Sequence, residues 1–297
     1  MLIRIISGLV VLALIGAGAF WLLTMPTPLA ATDLPDHEPD VANGEYMFYA
    51  GGCASCHATP DQDDPLQLGG GLALPSPFGT FRVPNISPDP DSGIGGWSAI
   101  DLVNAMTRGI APGGTHLYPS FPYTSYQRIK VEDIIDLKAF LDTVPAVASD
   151  VPGHELPFPF NIRRGLGLWQ LLFLDGEPFT PDPDATDQIN RGAYLVTGPG
   201  HCGECHTPRN VLGGLERDRW LEGAPNPEGE GTVPDITAAG LANWSASDIA
   251  YALESGFTPD FDSLGGSMAR VVRNTSQLTA DDRDAIAAYL KSLPDAR

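Results

Sequence analysis

The sequence predicts an all-α protein: two tandem helical domains behind an N-terminal transmembrane helix. Three observations predict it. An uncharged apolar run from Ile5 to Leu23 follows Arg4. The pentapeptide Cys-x-x-Cys-His occurs twice, as Cys53-Ala54-Ser55-Cys56-His57 and as Cys202-Gly203-Glu204-Cys205-His206, 149 residues apart. The sequence around each copy repeats as well, and two domains suit a chain of 297 residues. The expected boundaries are 1–24 for the anchor, 25–40 for a linker, 41–149 for the first domain, 150–186 for a connecting strap and 187–297 for the second domain.

The apolar run comes first. Nineteen helical residues span about 28 Å, close to the thickness of the hydrocarbon core. A secretory signal has a shorter core and ends at a small-x-small site. Here the run ends Trp21-Leu22-Leu23-Thr24-Met25-Pro26, which reads as a retained anchor rather than a cleaved signal. Arg4 on the short side predicts a cytoplasmic N-terminus and a body outside it.

The repeat sets the order of the remaining elements. Gly44-Glu45-Tyr46 precedes the first motif and Gly192-Ala193-Tyr194 the second, each on an entry helix. Downstream stand Val83-Pro84-Asn85-Ile86-Ser87 and Val233-Pro234-Asp235-Ile236-Thr237. Gly96-Trp97-Ser98 and Asn243-Trp244-Ser245 then open a further helix in each half. Amphipathic helices close the halves at Val131 to Leu141 and at Ala280 to Leu290; Thr279 caps the second, with Asp281 and Asp282 in its first turn. The small Gly44 and Gly192 permit entry and closing helices to cross closely. The strap is Pro-rich from Leu156 to Arg164 and then apolar from Leu166 to Leu174, too short to span a bilayer.

The two pentapeptides carry the chemistry. Two thiols one helical turn apart can each form a thioether to a vinyl group of one haem, and the adjacent His then lies under the iron. That uses all four cysteines of the chain and predicts two covalently bound haem c groups, with Cys53, Cys56, Cys202 and Cys205 attaching them and His57 and His206 as iron ligands. A redox dithiol that happens to precede His accounts poorly for two copies. For the far side of the second iron the candidate is Met268, 24 residues beyond Trp244. The same step from Trp97 lands on Phe121, which cannot ligate iron. For the first iron the alternatives are His116, Met106 or an open position. Trp97 and Trp244 can donate their indole N–H groups to haem propionates or simply pack. Arg163 and Arg164 are further candidates for the propionates, whereas His37 and His154 fall in Pro-rich linker sequence and are expected in solvent. His201, beside Cys202, is on the attachment side.

With both motifs and the repeat in view, the chain resembles a membrane-anchored bacterial dihaem cytochrome c. It is similar to the cytochrome subunits of dehydrogenases that face the periplasm. The segments that carry the likeness are Pro84 to Asp89, Ile94 to Ser98, His116 to Tyr123, Leu156 to Arg163 and Arg191 to Asn210. The resemblance implies two class I cytochrome c domains and a role in electron transfer, with no activity of the chain alone. Electrons would come from a periplasmic dehydrogenase or respiratory complex and leave to a soluble cytochrome c or terminal oxidase. Phe121 places the chain nearer the branch that serves molybdenum hydroxylases. The competing class is a dihaem redox enzyme, peroxidase-like or acting on sulfur compounds, with an open first iron. Seventeen basic against thirty-seven acidic residues give a net charge of −20. That excludes nucleic acid as a partner and favours a basic one, such as a soluble cytochrome, drawn in by a field that salt screens.

Overall fold

The computed structural model describes residues 1–226, 229 and 231–294. It opens with α1 (Leu2–Leu23), an unbroken helix of 22 residues with no buried side chain, long and apolar enough to cross a membrane. The next residue, Thr24, is fully buried against the body.

Residues 25–40, expected as a solvated linker, are fixed instead. The Leu29 N–H donates to Asn104 Oδ1 at 2.7 Å, and Asn104 Nδ2 donates back to the Leu29 carbonyl at 3.1 Å. His37 is tied as well, its Nε2 lying 2.7 Å from Asp136 Oδ1. The hydrogen bond to Asp136 raises the His37 pKa above its ordinary 6.5. The contact is therefore complete below about 6.5 and is lost as pH rises through the folded-state value. Hydrogen exchange of residues 29–40, corrected for the intrinsic rate, is expected to speed up on that rise, and His37→Ala to abolish the pH dependence. Unchanged protection across the window in the parent protein would contradict the assignment.

The first half runs α2 (Val41–Ala50), α3 (Ala54–His57), α4 (Ala99–Arg108), α5 (Tyr123–Tyr126) and α6 (Val131–Leu141). Asp40 caps α2 by accepting the N–H groups of Ala42 and Asn43. The Asp101 carboxylate accepts the Ser98 N–H at 2.9 Å to fix the start of α4, and Gly109, at φ 60°, ends it in the left-handed conformation. The strap carries α7 (Leu166–Phe173). The second half repeats the plan as α8 (Asp187–Thr197), α9 (Gly203–His206), α10 (Ala246–Ser255), α11 (Ser267–Thr275) and α12 (Ala280–Ser292).

Small sheets interrupt the expected all-α design. Antiparallel hairpins join β1 (Ala73–Ser76) to β2 (Gly79–Arg82), β3 (Ile110–Ala111) to β4 (Thr115–His116) and β5 (Ala224–Pro225) to β6 (Thr232–Val233). They give the long loops between helices partners for backbone groups that would otherwise be unpaired.

Two helix crossings organise the body: α2 over α6 and α8 over α12. Each turns on one glycine. A Cβ on Gly44 would sit 2.0 Å from the Asp136 carbonyl oxygen, and one on Gly192 would sit 1.9 Å from that of Ala285. Phe48, Val103, Ile134 and Leu141 fill the core beside the first crossing, and Leu195, Val196, Ala287 and Leu290 the core beside the second.

Candidate functional site

Each Cys-x-x-Cys-His motif folds as a single helical turn directly after an entry helix, as α3 and α9. The His57 N–H bonds back to the Cys53 carbonyl at 3.0 Å, and the His206 N–H to the Cys202 carbonyl at 3.0 Å. That winding sets the two thiols of each motif one turn apart. Among the described residues no disulfide ties up these cysteines. Burial pushes the Cys53 and Cys202 thiols up to about 12. A redox dithiol needs the opposite shift, toward thiolate.

The imidazoles are aimed by matched backbone acceptors. His57 Nδ1 lies 2.9 Å from the Pro84 carbonyl, and His206 Nδ1 lies 2.8 Å from the Pro234 carbonyl. A proton on Nδ1 leaves Nε2 as a lone-pair donor, the arrangement that metal-bound histidines use. Burial lowers the pKa of both rings and so favours the neutral form. The acceptor loops are locked from both sides. Ile86 N–H bonds the Leu68 carbonyl and Ile236 N–H bonds the Leu221 carbonyl, each at 3.0 Å. Gly70 and Gly223 return N–H groups to the carbonyls of His57 and His206 at 2.9 and 2.8 Å. This donor set fits haem c twice over: a pair of thiols, one neutral imidazole with its Nε2 lone pair available, and an apolar wall beside each. Trp97 packs against the first core and Trp244 against the second.

The halves grip one another across an approximate two-fold relation. The Tyr46 hydroxyl on α2 donates to Asp282 on α12 and accepts the Thr279 N–H at 3.3 Å. Its counterpart Tyr194 on α8 donates to Asp133 on α6 and accepts the Lys130 N–H at 3.3 Å. Each aspartate is also held from its own half. Asn43 Nδ2 reaches Asp133 at 2.9 Å, and Arg191 reaches both oxygens of Asp282 at 2.8 and 2.6 Å. Burial pushes the Asp282 carboxyl up, but the bonds from Arg191 and Tyr46 outweigh it and hold the group below the usual range.

The motifs join the same exchange through their inner residues. Ser55 Oγ donates to the Arg270 carbonyl on α11 at 3.2 Å and accepts from Asn274 Nδ2 at 2.9 Å. In return Glu204 accepts from Thr124 and Ser125 on α5 at 3.0 and 2.6 Å. Each attachment turn is thus braced by a helix of the other half. The sequence offers a trace of this in the shared Gly-x-Tyr and in the acidic first turns of α6 and α12, but not the exchange of partners between halves.

The remaining candidates are placed as follows. Met268 lies half-buried in the first turn of α11, the helix that rests on α2 and α3. Phe121 packs on the first core, with its ring edge-on to Tyr126 at 5.4 Å. Met106 is buried in that core on α4. His116 is drawn elsewhere: its Nε2 lies 2.9 Å from the Thr24 carbonyl, at the foot of α1. Arg163 and Arg164 also leave the propionate role expected of them. Arg163 donates to the His116 carbonyl at 3.0 Å and lies over the Tyr118 ring. Arg164 holds Thr24 Oγ1 and the Trp21 carbonyl at 2.8 and 2.7 Å. His154, expected in solvent, accepts the Arg82 N–H at 3.0 Å and packs edge-on to Phe81 and Tyr118. His201 stays on the attachment side, its Nδ1 2.8 Å from the Pro199 carbonyl and its ring against Tyr126.

Known proteins resemble this chain in sequence. The cytochrome c family profile matches residues 41–145. A protein of Cereibacter sphaeroides described as diheme cytochrome c-type is 54% identical over 97% of this chain and 97% of its own length. The fructose dehydrogenase cytochrome subunit of Gluconobacter japonicus is 38% identical over 91% of this chain and 55% of its own. The cytochrome c subunit of the quinone alcohol dehydrogenase of Gluconacetobacter polyoxogenes is 38% identical over 94% of this chain and 60% of its own. The chain thus spans 55% of the fructose dehydrogenase subunit and 60% of the alcohol dehydrogenase one.

Proposed function

Because the chain belongs to the dihaem c-type cytochromes and covalently binds haem c, we propose that it carries electrons singly from a periplasmic dehydrogenase toward a soluble cytochrome c or a respiratory complex. One observation carries this reading. Two attachment turns with matched histidine geometry sit in one braced body, with Nδ1 of each ring on a proline carbonyl at 2.9 and 2.8 Å. A rigid frame suits electron transfer, because little has to move when the charge does.

The domains are residues 41–149 and 187–297. Cys53 and Cys56 hold one porphyrin and Cys202 and Cys205 the other. His57 and His206 ligate through Nε2, and Met268 completes the second iron. Trp97 and Trp244 wall the two pockets and offer indole N–H groups to the propionates. The haems supply the one-electron couples, and the chain supplies orientation, thioether attachment and exclusion of water. The relatives named as dehydrogenase subunits support a dehydrogenase donor. The buried foot of α1 supports a retained anchor and a body held close to the outer face of the inner membrane.

The first iron differs from the second. Phe121 stands where the repeat calls for a donor, and His116 gives its Nε2 to the Thr24 carbonyl. We read its far side as open to small ligands, which keeps the redox-enzyme alternative specific to that haem. Two measurements test the proposal. The mature protein is expected to carry two porphyrin adducts by mass and to titrate in two one-electron waves without turning over peroxide or sulfur compounds. One adduct, or steady turnover, would overturn the electron-carrier reading. Carbon monoxide is expected to bind the ferrous protein at one equivalent, on the first haem only; no binding would move His116 or Met106 into the sixth position.

A further inference from the structure

The strap is chemically unlike the rest of the protein. Residues 156–174 read LPFPFNIRRGLGLWQLLFL: two arginines and no carboxylate, in a chain of net charge −20. Many of its apolar side chains are not sunk into the body. Phe158 is 78% exposed, Leu172 66% and Leu171 61%, and Phe160, Ile162 and Leu168 are exposed too.

The same strap clamps the foot of α1. Arg164 bonds Thr24 and the Trp21 carbonyl, and its guanidinium carbon lies 4.3 Å from the Trp21 ring centre. Gly167 lies against Thr24 so closely that a Cβ there would come within 2.7 Å of the Thr24 Cα. His116 takes up the Thr24 carbonyl. The body therefore does not hang from a slack tether. Its surface around Thr24 has a fixed height relative to α1. Along α7 Leu168, Leu171 and Leu172 fall at i, i+3 and i+4, on one face. That apolar stripe begins four residues beyond Arg164, which holds the anchor.

We infer that residues 156–174 form a collar lying in the membrane–water interface beside the exit of α1, its exposed leucines and phenylalanines in contact with phospholipid. The inference rests on α1 spanning the bilayer. A helix of 22 residues reaches about 33 Å, so its last turn emerges at the headgroup level. Interfacial segments bury their apolar side chains about 5–10 Å below that level. Charge points the same way. Anionic headgroups repel a strongly acidic body, and the carboxylate-free stretch is the part that approaches them without penalty. The collar would fix the orientation of both haem sites over the membrane.

The test uses the full-length holoprotein in vesicles of phosphatidylcholine and phosphatidylglycerol. Single cysteines are placed at Leu172, Phe158, Leu12 and the exposed Asp63, one per protein, since thioether-bound cysteines do not react. The readout is the rate of modification by a membrane-impermeant maleimide, normalised to the unfolded chain. Leu12→Cys is expected to be unreactive, and Leu172→Cys and Phe158→Cys to react at least tenfold more slowly than Asp63→Cys. If Leu12→Cys is protected but both collar positions react like Asp63→Cys, the collar is refuted while the anchor stands; a protein partner as occupant gives this result. If Leu12→Cys reacts freely, the spanning reading fails and takes the collar with it.

Discussion

Gly192→Ala is expected to destabilise the second half by about 3 kcal/mol or more, and to lower its melting temperature by roughly 10–20 °C. The direction runs against intrinsic propensity. Alanine in a helix interior is favoured over glycine by about 1 kcal/mol, and Gly192 lies inside α8. The clash decides the sign. The new Cβ would fall 1.9 Å from the Ala285 carbonyl oxygen and 2.8 Å from Tyr289 Cβ. The nearer atom is backbone in the middle of α12, so no rotamer change relieves it. The helices must separate, and separation breaks the Arg191 bonds to Asp282. Gly44→Ala is expected to do the same in the first half, against the Asp136 carbonyl at 2.0 Å. Gly96→Ala is the control, because a Cβ there meets nothing within 4 Å. Thermal unfolding followed at the haem absorption and by far-ultraviolet circular dichroism reads all three. A Gly192→Ala protein as stable as the Gly96→Ala control would remove the close crossing from the fold.

Much of the site is legible in the sequence because the chemistry fixes residue type and spacing together. Cys53, Cys56 and His57 must lie on one helical turn, and α3 is that turn. The repeat carries the proline loops as well: Pro84 and Pro234 are visible, though not that their carbonyls take Nδ1 of the histidines. Elements bounded by clear signals also match. α6 is Val131–Leu141 as expected, and α12 extends to Ser292, two residues beyond the expected Leu290. What escapes is long-range. His116 reads as a candidate iron ligand because it lies five residues from the position of the missing methionine. What no local pattern shows is that its Nε2 meets the Thr24 carbonyl, 92 residues away. Arg163 and Arg164 mislead for the same reason: cations in a strap between two haem motifs suggest propionates, but these hold the foot of α1 and the turn beside it. His37 and residues 25–40 look like solvated linker because their composition is polar and Pro-rich, yet Asp136 and Asn104 supply partners that no local pattern announces. The Tyr46–Asp282 and Tyr194–Asp133 exchange is equally hidden. Each residue reads as an ordinary helix position until the second half is placed beside the first.

That exchange bears on the second iron, because α11 carries Met268 and also rests on Ser55 of the first attachment turn. Met268→Ala is expected to abolish the sulfur-to-iron charge-transfer band of the ferric protein and to lower the potential of one haem only. Methionine ligation raises a haem potential because the thioether favours the ferrous iron. For a one-electron couple, each tenfold loss of that preference costs about 59 mV. Loss of the ligand is expected to cost at least two such steps, a fall of about 120 mV or more. The wave that moves should be the one that does not bind carbon monoxide in the parent protein, and the variant should now bind a second equivalent. The Ser55→Ala variant separates ligation from bracing. It keeps Met268 but removes the bonds to Arg270 and Asn274, so the band should persist and the second wave should move much less than in Met268→Ala. If the band survives in Met268→Ala, or if both waves fall together, Met268 is not the ligand of the second iron.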